Sequence, residues 1–268
     1  GGVYNAGIFK SFHNTNGNIT SNKSKKGAGL YNASAGKVYL GSSNIIDNTA
    51  SEDGGGIYNE GFITSQNHEG DSEVNIKVQE NKINNASTGH GPGIANRGSS
   101  AIITIDKDYK LLVTNNRSKT KDDSIGEIEN SSNATFNIDA NNMSVGSNVT
   151  NGNEQDGNGY HLKLPAIVNQ SGATMDIKSC VGESNIYSNS NITINNYGAN
   201  LSIKSSADSN ESPINIDNYH SSGTNIVNDN NAIFAKNVKI VVSSPKIRTS
   251  IPFLSERLHL IKGGSIFC

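Results

Sequence analysis

The feature that most constrains this chain is an aliphatic residue followed two positions later by asparagine. The pattern recurs at Val3/Asn5, Leu30/Asn32, Ile57/Asn59, Ile94/Asn96, Ile128/Asn130, Ile167/Asn169, Ile194/Asn196 and Ile216/Asn218. The aliphatic members lie 27, 27, 37, 34, 39, 27 and 22 residues apart. The shortest steps suit one rung of a three-strand solenoid, a rung being one circuit of the chain, and the longer steps suit a rung with insertions. The repeat predicts an all-β coil.

The asparagine of each pair has a physical reason to stand at a strand end. Residues two apart in a strand point to the same side, so the aliphatic residue and the asparagine both face the interior. Asparagine tolerates the left-handed backbone of a sharp corner, and its amide can bond an identical residue one rung away. We therefore predict that the eight asparagines stack at one corner, as an asparagine ladder.

Composition supports a thin solenoid core and a C-terminal segment of different character. Only 33% of the residues are hydrophobic and there is no tryptophan, but each rung of a solenoid needs few inward aliphatic residues. The last asparagine is Asn237, and the stretch after it contains several apolar runs. We predict a β-helix over 1–242 and a segment over 243–268 that caps its open end.

Charge and cysteine content exclude several classes of function. A net charge of −2 removes the basic footprint of a nucleic-acid-binding protein, and no apolar run is long enough to span a membrane. Cys180 and Cys268 form neither a disulfide framework nor a metal-ligand spacing, so we predict no metal and no cofactor. The chain starts within a rung, at Gly1-Gly2-Val3, which indicates a region of a longer protein.

Three consecutive rungs are over-long, with extra residues at 84–92, 115–124 and 146–163. Because these rungs are neighbours, their loops should cluster on one flank and wall a groove about three rungs wide, roughly 15 Å. The alternative explanation is that these loops have no function and that their length varies because nothing constrains it. The candidate ligand-binding residues on them are His90, Arg117, Lys119, Lys121, Asp122, Asp123, Glu154, Asp156, Tyr160, His161 and Lys163.

A second candidate surface is formed by the residue between the aliphatic residue and the asparagine, which alternation directs outward. It is tyrosine on the first three rungs, at Tyr4, Tyr31 and Tyr58. Tyrosines one rung apart should stack, and such a stack could hold a sugar ring. It could equally do no more than stabilise the sheet.

The tetrapeptide Gly-Val/Leu/Ile-Tyr-Asn at 2–5, 29–32 and 56–59 resembles the right-handed parallel β-helices of the pectate-lyase-like fold. Within that fold the chain is most similar to bacterial surface adhesins, namely autotransporter passengers and the ligand-binding regions of serine-rich repeat proteins from lactobacilli. The resemblance covers residues 1 to about 242. It implies an extracellular protein region at the bacterial cell surface that binds host or environmental glycans or an extracellular-matrix protein.

Two other functions remain open. The fold also hosts polysaccharide lyases and glycoside hydrolases, but the sequence contains no recognisable constellation of catalytic carboxylates, so we predict a protein that is not an enzyme. The third alternative is a structural passenger that self-associates side by side through its asparagine-rich faces.

Overall fold

The computed structural model describes most of the first 179 residues and shorter stretches beyond them. The described residues are 1–11, 17–66, 74–85, 87, 89–106, 108–120, 122, 124–140, 142–147, 155–162, 164–170, 172–179, 184–188, 194–196, 200–205, 214–218, 224–228, 232–234, 238–242, 246–249, 259–260 and 265–267. All regular secondary structure in these ranges is β-strand, and none of them forms a helix long and apolar enough to cross a membrane.

The strands stack into parallel sheets, and the chain passes through the sheets in the same order on successive rungs. The first sheet contains Val3–Asn5, Leu30–Asn32, Ile57–Asn59, Ile94–Arg97, Ile128–Ser131, Ile167–Asn169, Ile194–Asn196, Thr224–Asn228, Lys246–Thr249 and Ser265–Phe267. The second sheet contains Ile8–Lys10, Lys37–Leu40, Phe62–Ser65, Ile102–Ile105, Thr135–Ala140, Thr174–Ser179, Asn200–Ser205 and Ala232–Phe234.

The remaining strands form a long third sheet and a short fourth one. The third sheet contains Gly17–Thr20, Ser43–Ile46, Val74–Gln79, Tyr109–Thr114, Asn142–Gly146, Ser184–Ser188, Ile214–Asn218, Val238–Val242 and His259–Leu260. The fourth sheet contains Lys23–Ser24, Thr49–Ala50, Lys82–Ile83 and Arg117–Ser118. This stacked, all-parallel architecture confirms the prediction of an all-β solenoid.

The interior is a column of aliphatic side chains, because alternate residues of the first three sheets point inward. Leu30, Val38 and Ile45 show the pattern on the second rung, where each is fully buried. Tyr109 and Phe136 are the largest side chains in this column. From the second rung to Ile194, where burial is described, each rung adds apolar residues to a continuous core, as a chain with little hydrophobic content requires.

Side-chain amides join the corner asparagines of the first sheet from rung to rung. Asn5 donates to Asn32, Asn32 to Asn59, Asn59 to Asn96 and Asn96 to Asn130, each at 2.8 Å. Asn130 donates to Asn169 at 3.0 Å. Since Asn32, Asn59, Asn96, Asn130 and Asn169 are completely buried, these bonds satisfy polar groups that water cannot reach.

The eighth pair, Ile216/Asn218, is wrong as a member of this series. Ile216 pairs with Ile186 and Ile240 in the third sheet. In the first sheet it is Asn228 whose backbone is in register with Asn196. The step of 22 residues was too short for a complete rung, and the step from Ile194 to Ile226 accommodates the chain instead.

A second file of asparagines, absent from our sequence predictions, lies between the third and fourth sheets. Asn22 donates to Asn48 at 3.0 Å, Asn48 to Asn81 at 2.9 Å, and Asn81 to Asn116 at 3.0 Å. Each is preceded by a residue in the left-handed region, with φ of 57° at Ser21, 57° at Asp47, 56° at Glu80 and 60° at Asn115. The pattern aliphatic-x-x-Asn, as in Ile45-x-x-Asn48, marks this corner in the sequence.

This second file explains the glycine of the Gly-x-Tyr-Asn tetrapeptide. A Cβ on Gly29 would lie 2.5 Å from Cγ2 of Ile45, 2.6 Å from the Gly56 carbonyl oxygen and 3.1 Å from the amide nitrogen of Asn48. A Cβ on Gly93 would lie 2.7 Å from the amide nitrogen of Asn116. Glycine is therefore needed where the file packs against the start of the first sheet. On the fifth rung Glu127 takes this position, and its carboxylate accepts the Asn116 amide at 3.0 Å.

After residue 242 the described strands continue the stacks. Lys246–Thr249 pairs with Thr224–Asn228 in parallel, and Ser265–Phe267 pairs with Lys246–Thr249. His259–Leu260 extends the third sheet. The capping role of 243–268 stays a prediction.

Candidate functional site

The three tyrosines predicted to stack on the first sheet do so. The ring centroids of Tyr4 and Tyr31 lie 5.3 Å apart with an interplanar angle of 22°, and those of Tyr31 and Tyr58 lie 5.2 Å apart at 27°. This stack follows directly from the register, which aligns the tyrosines on adjacent strands. Stacking covers both faces of the middle ring.

A carboxylate joins two members of this stack. The hydroxyl of Tyr31 donates to Glu60 at 2.6 Å, and that of Tyr58 donates to the other oxygen of Glu60 at 3.2 Å. Burial together with the Glu60 carboxylate raises the pKa of both phenols, that of Tyr58 to about 12. The ammonium of Lys26 lies 4.9 Å from the centroid of the Tyr58 ring. These contacts leave Tyr4, which is 72% exposed, as the member most open to a ligand.

On the fourth, fifth and sixth rungs the outer face of the first sheet is covered. Ala95, Glu129 and Val168 occupy the same register position as the tyrosines, yet all three are buried. His90, from the over-long segment 84–92, places its Nδ1 2.8 Å from the Glu129 carboxylate. The over-long segment 84–92 thus covers Glu129, one of the residues that alternation directs outward.

His90 is held on this face by its backbone as well as its ring. Its N–H donates to the Asp53 carboxylate at 3.1 Å, and its carbonyl accepts the N–H of Gly54 at 3.0 Å. The contact with Glu129 raises the pKa of His90, and burial raises the pKa of Glu129. His90 therefore packs over the first sheet and belongs to a different surface from the other candidate residues.

The three over-long segments contact one another, as predicted from their adjacency. Arg117 pairs with Asp156 at 3.0 Å, the N–H of His161 donates to the Ser118 carbonyl at 2.7 Å, and the Thr120 hydroxyl donates to the Asn85 carbonyl at 2.8 Å. Antiparallel bridges also join His161 to Ser118 and to Gln155. These bonds place the third segment against the fourth sheet.

Asp156 builds the turn that carries Tyr160. Its carboxylate accepts the N–H groups of Asn158 at 2.9 Å and of Tyr160 at 3.0 Å, and Gly159 supplies the left-handed residue at φ 77°. Burial alone would raise the pKa of Asp156, but these donors and Arg117 hold it below its usual range. The turn thereby places the largely buried ring of Tyr160 at the end of the fourth sheet, with the Lys119 ammonium 5.2 Å from the ring centroid.

A groove of about 610 Å³ runs along the outer face of the fourth sheet and ends at this turn. Its floor carries the outward residues of successive strands, Lys23, Thr49 and Lys82. The groove is lined by Ser21, Lys23, Ser24, Asp47, Thr49, Ser51, Lys82, Asn84, Lys119, Asn158 and Tyr160. Each of the three over-long segments contributes to this lining.

The charge of the groove is mainly positive. Three lysines line it against one carboxylate, Asp47, which contacts the Lys82 ammonium and accepts the Ser21 hydroxyl at 3.2 Å. The Lys82 contact lowers the pKa of Asp47, so this carboxylate is ionised and already paired. Lys23 and Lys119 carry the remaining formal charge.

The candidate residues from the sequence therefore divide into groups. Arg117, Lys119, Tyr160 and His161 come together, with Lys119 and Tyr160 in the groove itself. Asp122 closes a local turn by accepting the Ser124 N–H at 2.8 Å. Lys121, Asp123, Glu154 and Lys163 lie outside the described residues.

Sequence reasoning missed most of the groove floor. Lys23, Thr49, Lys82 and Arg117 each follow an asparagine of the second file, and recognising the aliphatic-x-x-Asn pattern would have aligned them.

Comparison with protein-family models, curated proteins and solved structures finds no match to this chain. The groove and the tyrosine stack are therefore the two candidate binding surfaces of the described residues.

Proposed function

We propose that this chain is the non-catalytic, glycan-binding region of a bacterial surface adhesin. The observation that carries the proposal is the groove on the fourth sheet, in which Lys23, Lys82 and Lys119 lie among hydroxyl and amide side chains and Tyr160 closes one end. Such a lining suits a polar, acidic carbohydrate chain. The extracellular location and the relationship to adhesins of the pectate-lyase-like fold belong to the same proposal, and the repeat supports them.

The proposal includes a right-handed coil with an asparagine ladder at the corner of the first sheet and a C-terminal cap. The hydrogen bonds from Asn5 through to Asn169 support the ladder. Right-handed crossover is the rule for parallel strands joined in one sheet, which favours that hand here. A rigid coil of this kind would hold the groove residues at fixed spacing.

The net positive charge of the groove lining favours acidic sugars over neutral ones. With Asp47 paired to Lys82, the ammonium groups of Lys23 and Lys119 face the cavity without a carboxylate of the lining assigned to them. Hydroxyl and amide groups of Ser51, Thr49 and Asn84 supply donors and acceptors for sugar hydroxyls.

Binding without cleavage is favoured by the carboxylates of the groove. Glycoside hydrolysis requires two carboxyl groups set across the scissile bond, and the described lining holds only Asp47. Its lowered pKa and its contact with Lys82 suit a structural ion pair better than a general acid, which needs a raised pKa. The pairing of Asp47 with Lys82 therefore supports recognition without cleavage.

The test is binding of the chain to polygalacturonate and to a neutral polysaccharide of similar length by isothermal titration calorimetry. We expect binding to the acidic polymer that weakens with salt, and loss of about tenfold in affinity for each of Lys23→Ala and Lys119→Ala, because each removes a charged contact. Lys25→Ala is the matched control, since its side chain is 76% exposed and does not line the groove.

The same reactions, followed for reducing ends and unsaturated uronates, decide the question of activity. We expect no product with or without calcium. Binding that is insensitive to salt and to both groove substitutions would contradict the groove, and product formation lost in Asp47→Asn would replace the adhesin proposal with an enzyme.

A further inference from the structure

The groove on the fourth sheet is closed at one end. The outward residues of the first three strands of this sheet all line it. Arg117 follows Lys82 in register on the fourth rung, but it is not among the lining residues, because its guanidinium pairs with Asp156 at 3.0 Å. The segment 155–162, which carries Asp156, therefore crosses the sheet at the fourth rung. We call this segment the end wall.

The end wall is bonded to the sheet and to itself. The N–H of His161 donates to the carbonyl of the completely buried Ser118 at 2.7 Å, and these two residues form an antiparallel bridge. Within the wall, the N–H of Asp156 donates to the Tyr160 carbonyl at 2.9 Å. Tyr160 itself is only 9% exposed. A ligand in the groove could thus move the wall aside only by breaking these bonds.

The other end of the groove is more open, and the space between the two ends is short. Ser21 and Lys23, on the first rung, are exposed, whereas Thr49 and Lys82 are half-buried. From Lys23 to Lys119 the groove covers three steps between rungs of ~4.8 Å, about 14 Å in all. Its volume of 610 Å³ lies within the roughly 300–1,000 Å³ of pockets that enclose a small ligand. The groove therefore holds a short stretch of a glycan.

We propose that the groove binds the end of an acidic glycan chain, with the terminal sugar against the end wall and the rest of the chain leaving over Lys23. This proposal rests on the function proposed above and narrows its ligand from acidic glycans in general to their chain ends. An internal stretch that lies along the groove must continue beyond both ends, and the wall blocks one of them. A chain end needs only the open one.

The residues at the closed end suit an acidic terminal sugar. The N–H of Lys119 donates to the Ile83 carbonyl at 3.0 Å, which fixes its backbone at the foot of the wall. Its ammonium lies against the Tyr160 ring, but the ring has no net charge and leaves the positive charge available to a carboxylate. Asn158, which is exposed on the wall and lines the groove, offers amide donors and an acceptor to the sugar hydroxyls.

Isothermal titration calorimetry with galacturonate chains of defined, increasing length tests the proposal. We expect the number of protein molecules bound per glycan chain to stay the same at every length, because each chain has one matching end. A short galacturonate oligomer is then capped with a bulky group at its reducing end or at its non-reducing end. One of the two caps should abolish binding, and the other should leave it unchanged.

The role of the wall is tested by Asp156→Ala. This change removes the partner of Arg117 and the acceptor of two N–H groups of the turn, so the wall should loosen and admit internal stretches. We expect the variant to bind several copies per long chain. Asp122→Ala is the matched control, because Asp122 also closes a turn, by accepting the Ser124 N–H, but does not line the groove. Circular dichroism checks that both variants fold.

Protein bound in proportion to chain length, or a short oligomer that binds with either cap, would overturn end recognition and leave the groove as a site for acidic glycans. Absence of binding to galacturonate chains of every length would overturn both proposals. A folded Asp156→Ala variant that still binds as the unchanged protein does would show that the wall does not exclude internal stretches, which also overturns end recognition.

Discussion

The side-chain amide of Asn116 donates to the carboxylate of Glu127 at 3.0 Å, at the place where the amides of the preceding rungs donate to the next asparagine of the second file. The file thus ends, within the described residues, on a completely buried acid. Burial raises the pKa of Glu127 to about 8, although hydrogen bonds from Asn116 and from the backbone oppose the shift. A neutral carboxyl is therefore favoured near neutral pH.

Stability should fall as pH rises because of Glu127. Its folded pKa lies above the ordinary value of 4.5, so its contribution is fully present below pH 4.5 and is lost as pH rises through about 8. Glu127→Gln keeps an acceptor for Asn116 without a charge, and we expect its free energy of unfolding to change less between pH 5 and pH 9. Urea denaturation at both values measures this difference. Equal pH dependence of the two proteins would contradict the assignment.

Replacing Asn96 with alanine should destabilise the solenoid by about 1–2 kcal/mol. Asn96 accepts from Asn59 and donates to Asn130 at 2.8 Å and to the Thr135 carbonyl at 2.9 Å, so its loss leaves buried partners unsatisfied. Chemical denaturation measures the change. A variant as stable as the unchanged chain would show that the corner asparagines of the first sheet contribute little to stability.

Gly93→Ala should destabilise the chain by about 1–3 kcal/mol through overpacking. The added carbon would meet the Asn116 amide and the Glu127 carbonyl, both at 2.7 Å, and neither can move without disturbing the second file. Gly7→Ala is the control, because no atom lies within 4 Å of a Cβ there. Thermal unfolding of the two variants should differ clearly, and equal midpoints would disprove the steric argument.

Glu129→Gln should lower the pKa of His90 toward the ordinary value of 6.5. The Glu129 contact is the main cause that raises it, and the amide removes the negative charge while preserving size. In the unchanged chain the stability from His90 is fully present below pH 6.5 and is lost as pH rises through its raised pKa. NMR titration of the His90 ring protons measures the shift, and an unaltered titration would exclude the pairing.

Much of the fold could be predicted because a solenoid repeats the same residue types once on each rung. The pairs from Val3/Asn5 to Ile194/Asn196 all lie in the first sheet. Ile216/Asn218 misled the prediction because a third-sheet strand can carry the same local pattern. Spacing alone distinguishes the two.

The site was harder to predict, since its floor comes from strands of two residues each. Such strands have no periodicity to detect, and their position depends on the second file. Ile125 and Leu164, which directly follow two of the long segments, are also almost completely buried. Whether an insertion packs or projects depends on contacts that a single sequence does not reveal.

The left-handed corner before the second asparagine file separates shape from specificity. Its backbone angle is nearly constant, while its side chain is Ser21, Asp47, Glu80 or Asn115 on successive rungs, and the first two line the groove. Side chains that tolerate the left-handed region can vary at this corner, while the neighbouring asparagine keeps its hydrogen bonds along the second file. Substitutions at this corner would therefore change the groove lining one rung at a time without changing the path of the backbone.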